Sequence, residues 1–139
     1  MKDAESTIGN LIDKQNVSFI SSVDEEGFPN TKAMLTPVKR NGIKEIFWHT
    51  NAGSMRIKQF TNNAKACVYF CDKRFFRGIM LVGNMEIVKD KTIMQELWKD
   101  DYNIYYKDGV FGGDYTVIKF TATKGRYYSN FKSEDIVIE

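Results

Sequence analysis

The chain contains six short segments with the pattern of β-strands, and most of the connections between them are turns rather than long helices. In the first, Val17–Val23, apolar side chains alternate with small polar ones until Asp24-Glu25-Glu26-Gly27 ends the pattern. The other segments are Asn30–Val38, Ile46–Trp48, Ala64–Asp72, Gly78–Val88 and Tyr115–Tyr128. Six strands joined mainly by hairpins predict a mainly β fold with short helices, built as a closed or nearly closed antiparallel barrel.

Two local signals add detail to this sheet. Asn41-Gly42 supplies the pair of residues that tolerate positive φ in a tight turn, so it predicts a hairpin between the second and third strands. Gly83 lies inside the fifth segment and predicts a bend or a β-bulge there. The last residues, Ser129–Glu139, are predicted either to extend the sheet or to fray.

Helical patterns are short. Ser6–Gln15 carries apolar residues at helical spacing and predicts an amphipathic helix. Asp90 is a suitable N-cap for a second helix that reaches Trp98. The region Lys99–Asp114 is rich in tyrosine and glycine and predicts a loop with room for one helical turn.

The charge balance limits the classes of partner. Twenty basic and eighteen acidic residues leave a net charge of +2, and the basic residues are spread along the chain. This distribution argues against nucleic acid as the default partner. The N-terminal residues lack the apolar core of a secretion signal, and no apolar run has the length of a membrane span. We therefore expect a single cytoplasmic domain over residues 1–139 that needs no membrane.

Cysteine and histidine are too few and too widely spaced for a metal site. Cys67 and Cys71 share one predicted strand, and on one face of an extended strand they would lie ~13 Å apart, which is too far for a disulfide. His49 is the only histidine, whereas a structural zinc site needs four ligands. The two thiols are predicted to be structural, and no metal is expected.

The segment Glu45–Gln59 runs from an apolar strand through a small-residue turn into a basic helix start. The first N–H groups of a helix lack internal partners and carry partial positive charge, so this corner is suited to a phosphate. Its short polar side chains are Thr50, Asn51 and Ser54, beside Gly53, and Arg56 and Lys58 add positive charge. The alternative interpretation is an ordinary strand-to-helix connection in which Asn51 or Ser54 is the N-cap.

The remaining candidates for chemistry are weak. His49 has a side chain that titrates near neutral pH, but no carboxylate or thiol is placed by the sequence to orient it, so it is either an acid–base group or a residue at the border of a pocket. Most of the following aromatic residues are predicted to lie in the core: Phe19, Phe47, Trp48, Tyr69, Phe70, Phe75 and Phe76. Gly78 and Gly83 have the spacing of a P-loop, but Asn84 replaces its lysine, and no GxGxxG or GxSxG motif is present.

The order of several short motifs is similar to that of a known family. The chain carries Gly27-Phe28-Pro29, then TKAML, the Asn-Gly turn, FWHTNAGSMR, NNAKACVYF and MLVGNMEIV. In this order they resemble the FMN-binding split-barrel family of pyridoxamine 5'-phosphate oxidase-like proteins, and most closely its general stress protein branch, over roughly residues 8 to 128. The resemblance implies a six-stranded antiparallel split β-barrel and a homodimer that holds FMN between its subunits.

The resemblance also implies which residues bind the cofactor. The phosphate contacts fall on Thr50, Ser54 and Arg56, and the strand that contacts the flavin ring maps to Thr31, Lys32, Ala33 and Met34. His49 and Arg77 are further candidates for the same site, Arg77 because it lies beside the position where the oxidases have a glutamine and this chain has Gly78. Trp98, Tyr105 and Tyr106 are expected either to close the pocket or to pack across a dimer interface.

Two further departures separate this chain from the oxidases themselves. The basic pair that follows the family's serine is Met55-Arg56 here, so one phosphate-binding cation is missing. The C-terminal motif of arginine and histidine that holds pyridoxal phosphate has no counterpart in SEDIVIE. Oxidation of pyridoxamine phosphate is therefore not the expected reaction.

Three functions remain open at this point. The leading hypothesis is an FMN-binding redox protein that acts as a flavin-dependent oxidoreductase on a small substrate, in a stress-related role; its catalytic residues are not identified. The alternative is a flavin- or haem-binding protein that stores or senses without turnover. An aromatic-lined barrel that binds single-stranded nucleic acid is the third, and the charge balance makes it the weakest.

Overall fold

The computed structural model describes residues 3–139. Its strands are β1 (Val17–Val23), β2 (Pro29–Leu35), β3 (Lys39–Asn41), β4 (Glu45–Asn51), β5 (Lys65–Asp72), β6 (Arg77–Val88), β7 (Tyr115–Ser129) and β8 (Lys132–Val137). Its helices are α1 (Ala4–Lys14), α2 (Met55–Asn62), α3 (Lys91–Leu97) and a 3₁₀ helix (Asp100–Ile104).

All strand pairs are antiparallel, and the strands follow the order β2-β1-β5-β6-β7-β4-β3. β7 is long enough to pair twice along one edge: its first half, from Tyr115, pairs with β4 and its second half, to Ser129, pairs with β8. No ladder joins β2 to β4 or β3 within residues 3–139, so the sheet curls without closing. This is the mainly β, split-barrel class predicted from the sequence.

The strand count differs from the prediction, because the described chain has eight strands rather than six. The predicted strand Asn30–Val38 ends early, because β2 stops at Leu35, and an unpredicted short strand, β3, begins at Lys39. Pro37 lacks an N–H group and disfavours a continuous ladder, which explains the break. The C-terminal segment extends the sheet as β8 rather than fraying.

The predicted pairing of the second and third strands is also corrected. β2 pairs with β1, and the Asn41-Gly42 turn instead joins β3 to β4. Gly42 has a φ of 59°, as the turn requires. The turn was therefore predicted correctly, but one of its two partner strands was wrong.

Several local predictions are confirmed. The register between β6 and β7 shifts between Val82 and Gly83, and a Cβ atom at position 83 would lie 2.0 Å from the carbonyl oxygen of Thr121. The carboxylate of Asp90 accepts hydrogen bonds from the N–H groups of Thr92 (2.8 Å) and Ile93 (3.3 Å), so it caps α3. Both cysteines are half-buried free thiols.

The interior of the curled sheet is the main core, and α1 covers one end of it. The fully buried side chains include Trp48, Phe70, Phe120 and Leu81, and Ile8 and Ile12 of α1 pack into the same cluster. β1 contributes Ser18, Ile20 and Ser22 to this interior. The buried serines are hydrogen-bonded: Ser18 Oγ donates to the carbonyl of Leu35 (2.9 Å) and accepts from the indole of Trp48 (3.1 Å), and Ser22 Oγ pairs with Gln59.

The aromatic residues divide differently from the prediction. Phe47, Trp48 and Phe70 are buried, as expected. Phe19, Tyr69, Phe75 and Phe76 are exposed, because β1 and β5 turn these residues outward and Phe75 and Phe76 lie in the β5–β6 turn. The expectation that most of these rings are core residues was therefore wrong for four of seven.

No helix within residues 3–139 is long and apolar enough to cross a membrane. Over the same range, no three His, Cys, Asp or Glu side chains come together in a way that would hold a metal ion.

Candidate functional site

A large cavity lies where the sheet fails to close. It has a volume of about 570 Å³ and separates the edge strand β2 from the second half of β4. β3 pairs only with Glu45–Phe47, so the rest of β4 has no neighbour on the cavity side. The lining residues are Lys32, Ala33, Met34, Leu35, Thr36, Val38, Trp48, His49, Thr50, Asn51, Tyr105, Tyr106 and Asp114.

β2 forms one wall of this cavity. As the last strand of the sheet, it has backbone N–H and C=O groups on its outer edge that pair with no other strand of residues 3–139. Lys32 and Ala33 are exposed and Met34 is half-buried, so this wall is open to a ligand. Lys32 makes no ion pair within residues 3–139, and its ammonium group is available to a negative charge at the cavity.

β4 and the loop before β7 form the opposite wall, which is aromatic. Nδ1 of His49 lies 2.7 Å from the hydroxyl of Tyr106, and the rings of Tyr102 and Tyr105 lie 4.2 Å and 6.3 Å from the His49 ring between centroids. Burial lowers the pKa of His49, and the nearby positive charge of Lys99 lowers it further. Burial also raises the pKa of Tyr106 to about 12. Near neutral pH both side chains are therefore uncharged.

Trp98 supports this wall from behind rather than lining the cavity. Its ring packs at 5.0 Å from Tyr115, 5.6 Å from Tyr102 and 6.2 Å from Tyr106, measured between centroids. Of the three residues predicted to close the pocket, Tyr105 and Tyr106 line it, and Trp98 packs against Tyr106 from behind.

The predicted anion corner lies at the end of β4, next to the cavity. Thr50 and Asn51 line the cavity, and the chain then turns into α2, with Ser54 at the N-cap position. The N–H of Ala52 donates to the backbone oxygen (2.7 Å) and the carboxylate (3.2 Å) of Asp114, which fixes the turn. The sequence predicted this strand–turn–helix arrangement correctly.

Ser54 does not act as an ordinary cap. Its hydroxyl makes no capping hydrogen bond, and its Oγ is the one buried side-chain N or O atom in residues 3–139 without a hydrogen-bond partner. A buried hydroxyl without a partner is costly, by about 1–3 kcal/mol, and such a group is often completed by a ligand. Arg56 lies two residues further on, in the first turn of α2; it is half-buried and has no ion pair among the described residues. Lys58 differs, since it is largely exposed and lies 3.9 Å from Glu25.

Four of the nine predicted cofactor-binding residues do not line the cavity: Ser54 and Arg56 lie at the corner beside it, and Thr31 and Arg77 lie elsewhere in this chain. Thr31 is on the outer face of β2, where its hydroxyl lies 2.9 Å from that of Ser21. Arg77 begins β6, pairs with Asp72 at 3.2 Å and lies over the Phe75 ring at 5.2 Å, far along the sheet from His49. Sequence reasoning also missed Asp114 and Leu35 as lining residues, because only the folded arrangement brings them to the cavity.

Comparison with known proteins identifies the family. The family model described as "Pyridoxamine 5'-phosphate oxidase" matches residues 5–129 of the chain. The chain belongs to the pyridoxamine 5'-phosphate oxidase family. A search of curated proteins found no match.

Solved structures agree with membership of the pyridoxamine 5'-phosphate oxidase family. A Clostridium acetobutylicum protein described as related to general stress protein 26 is 34% identical, with a TM-score of 0.87 over 97% of this chain and 94% of its own. General stress protein 26 from Bacillus anthracis is 19% identical, with a TM-score of 0.78 over 96% and 98%. A pyridoxamine 5'-phosphate oxidase-related, FMN binding protein from Nostoc punctiforme is 7% identical, with a TM-score of 0.75 over 100% and 98%, and shares the fold.

The corner at the start of α2 fits the phosphate of FMN, the cofactor that the resemblance to this family implies. A phosphate accepts hydrogen bonds from hydroxyl groups and from the free N–H groups of a helix N-terminus. Ser54 Oγ has no partner to give up, and Arg56 has no competing carboxylate among residues 3–139. The hydroxyl of Ser54 and the guanidinium of Arg56 are therefore both free to bind a phosphate at this corner.

Proposed function

We propose that this protein is an FMN-binding redox protein that holds the cofactor in the cavity between β2 and β4. The observation that carries the proposal is the buried hydroxyl of Ser54, which has no hydrogen-bond partner in residues 3–139 and lies at the start of α2, three residues after the cavity-lining Asn51. In this proposal Thr50, Ser54 and Arg56 bind the phosphate. A volume of about 570 Å³ is within the usual range for a cofactor site.

The two walls have different roles in this proposal. β2 would hold the flavin ring: its unpaired edge groups would donate to and accept from the polar atoms of the ring, and Lys32, which lines the cavity, would add positive charge there. When bound, FMN supplies electron and hydride transfer, and positive charge or N–H donors near it stabilise the reduced form. Tyr105 and Tyr106 cover the ring on the side of β4 and limit the access of water.

We further propose that the protein is a homodimer. The outer face of β1 and β5 exposes Val17, Phe19 and Tyr69, with exposed fractions between 37% and 46%. Phe19 lies directly opposite both Tyr69 and Ala33 in the sheet register, so these side chains form one continuous apolar patch. A second copy of the chain would cover this patch. In such a dimer Thr31 and Arg77 would contact the flavin of the other subunit, since neither residue lines the cavity of its own subunit.

The redox role is proposed as an oxidoreductase on a small substrate, in a stress-related context like that named for the general stress protein 26 structures. His49 and Tyr106 support a catalytic role, because they place exchangeable protons at the cavity wall. The alternative is a protein that binds flavin or haem for storage or sensing and does not turn over.

The experiment is a titration of the purified, cofactor-free protein with FMN and, as a matched control, with riboflavin, which lacks the phosphate. We expect FMN to bind with a flavin absorption spectrum and at least tenfold more tightly than riboflavin. A protein that takes up no added FMN contradicts the proposal. Suppose that FMN binds, but that no nicotinamide donor reduces it and no electron acceptor reoxidises it once it has been reduced. The storage or sensing alternative is then correct.

A further inference from the structure

A second, smaller cavity of about 390 Å³ adjoins the proposed cofactor cavity on the other side of His49. We name it the side lobe. It shares Leu35, Thr36, Val38, His49 and Tyr105 with the larger cavity. It adds Pro37, Lys99, Asp101, Tyr102 and Ile104, which do not line the larger cavity. A ligand in the side lobe would therefore lie beside the cofactor without occupying its place.

The hydrogen bond between Tyr106 and His49 determines which imidazole nitrogen carries the proton. The hydroxyl of Tyr106 has no partner in residues 3–139 other than Nδ1 of His49, at 2.7 Å. Burial keeps the phenol of Tyr106 protonated, so its O–H is available to donate to Nδ1, and when it does the imidazole proton lies on Nε2. Nε2 has no hydrogen-bond partner in the same range. His49 thus offers one N–H donor with a fixed orientation.

The walls of the side lobe combine apolar surface with one free positive charge. Leu35 and Ile104 are 64% and 75% exposed, and together with Pro37 they form an apolar rim. Lys99 makes no ion pair among the described residues. The lobe has one carboxylate, Asp101, and Lys99 and His49 line the same lobe. The positive charge of Lys99 acts on His49, so an anion placed between the two groups would meet both a charge and an N–H donor.

We infer that the side lobe binds a small planar aromatic carboxylate, with its ring on the apolar rim and its carboxylate between Lys99 and Nε2–H of His49. Lys99 supplies the charge and His49 supplies a directed hydrogen bond. The inference deepens the proposed function, because it names the chemical class of a substrate that would lie next to FMN. Tyr106 is a positioning residue in this arrangement, since it acts through His49.

The test uses benzoate as the probe and benzamide as its uncharged counterpart, each added to the full chain with and without FMN. The ring signals of His49, the only histidine, are followed by nuclear magnetic resonance. We expect benzoate to shift these signals in a saturable manner and without displacing FMN. Lys99→Met should weaken benzoate binding at least tenfold and change benzamide binding less than twofold. Lys107→Met, in the same loop but lining neither cavity, is the matched control and should change neither.

Tyr106→Phe provides a second measurement, one that would not change if Tyr106 had only a structural role. Loss of the phenol should let the His49 proton occupy both nitrogens, which the ¹⁵N shifts of the ring report directly. The inference is overturned if benzoate leaves the His49 signals unchanged, if benzoate competes with FMN, or if Lys99→Met binds benzoate as well as the unaltered chain. FMN binding is measured separately in each sample, so failure of the proposed cofactor site is distinguishable from failure of the side lobe.

Discussion

At the residue scale, Ser54 leads to a prediction with opposite effects on stability and on binding. Its buried hydroxyl lacks a partner and makes no capping bond, so Ser54→Ala removes an unfavourable group from the cofactor-free protein. We expect the free energy of unfolding without FMN to rise by up to about 1 kcal/mol, and FMN affinity to fall about tenfold. Urea unfolding and FMN titration measure the two effects. A loss of stability without FMN would mean that Ser54 is an ordinary structural cap.

Arg56 should act on binding alone. It is half-buried and has no ion pair in the described part of the chain, so Arg56→Ala should leave stability nearly unchanged. We expect FMN binding to weaken by about 1.5–3 kcal/mol, the usual contribution of a hydrogen bond to a charged group. Lys58→Ala is the control on the same helix, because Lys58 is largely exposed and near Glu25. Equal FMN affinities for the two variants would show that the phosphate lies elsewhere.

His49 should make the stability of the protein depend on pH near neutrality. Burial, and then the charge of Lys99, lower its pKa below the ordinary value of 6.5, so the unfolded chain binds a proton more readily than the folded chain. The contribution of His49 is therefore complete above pH 6.5 and is lost as the pH falls from there toward the lowered pKa. We expect the free energy of unfolding to decrease between pH 7.5 and 5.5, by at most about 1.4 kcal/mol per pH unit.

His49→Gln should remove this decrease, because the chain has no other histidine. The carboxylates whose pKa values are lowered, Asp13, Asp24, Glu45 and Asp72, lose their contributions at more acidic pH, below about 4.5. Urea unfolding at the two pH values compares the variant with the unaltered chain. An equal decrease in both would assign the effect to another group.

At the scale of elements, the β7–β8 hairpin contains a residue in an unfavourable conformation. Ser129 pairs with Lys132, so the turn has two residues, Asn130 (φ 52°) and Phe131 (φ 65°). Asparagine tolerates positive φ, but a bulky side chain does so at a cost of roughly 1–2 kcal/mol. Phe131→Gly should therefore stabilise the protein by about 1 kcal/mol, measured by urea unfolding.

The Asn41-Gly42 turn is the matched control for this prediction. Gly42 has a φ of 59°, so Gly42→Ala should cost about 1 kcal/mol where Phe131→Gly gains it. If Phe131→Gly were neutral or destabilising while Gly42→Ala behaved as expected, the exposed Phe131 ring would have a favourable contact that outweighs its backbone strain.

Local signals in the sequence predicted the elements that depend on a few adjacent residues. The Asn41-Gly42 turn, the irregularity at Gly83 and the cap at Asp90 belong to this class. The break at Pro37 also had a local signal, but the strand pattern on both sides concealed it. The sequence does not decide between extension and fraying for β8, because Lys132–Val137 is too polar to indicate a buried face; the strand is ordered by its pairing with the end of β7.

At the scale of the whole molecule, the site was only partly predictable because its two walls are distant in the sheet. β2 and β4 lie near opposite ends of the strand order and meet only because the sheet curls. The strand–turn–helix corner, the β2 wall and the tyrosines were each predicted separately. The contact between His49 and Tyr106, 57 positions apart, had no sequence signal. Thr31 and Arg77 remain predictions that only a second subunit can place beside the flavin.

The homodimer can be tested through the patch that one subunit leaves uncovered. Phe19 and Tyr69 are each 37% exposed and lie opposite each other on β1 and β5, so replacing both with glutamate places two charges in the proposed interface. We expect the double variant to be a folded monomer by sedimentation. Phe111→Glu is the control, since Phe111 is a 51% exposed ring in the loop before β7 and should leave the assembly unchanged.

FMN binding then distinguishes a complete subunit site from a shared one. If Arg77 and Thr31 reach the flavin from the other subunit, the monomeric double variant should lose FMN affinity although its own Ser54, Arg56 and β2 edge are intact. FMN affinity of the unaltered chain should likewise fall when the protein is diluted below its dimerisation constant. A monomer with full affinity would show that each cavity binds its cofactor alone. A dimer that survives both glutamates would place the interface on another face of the sheet.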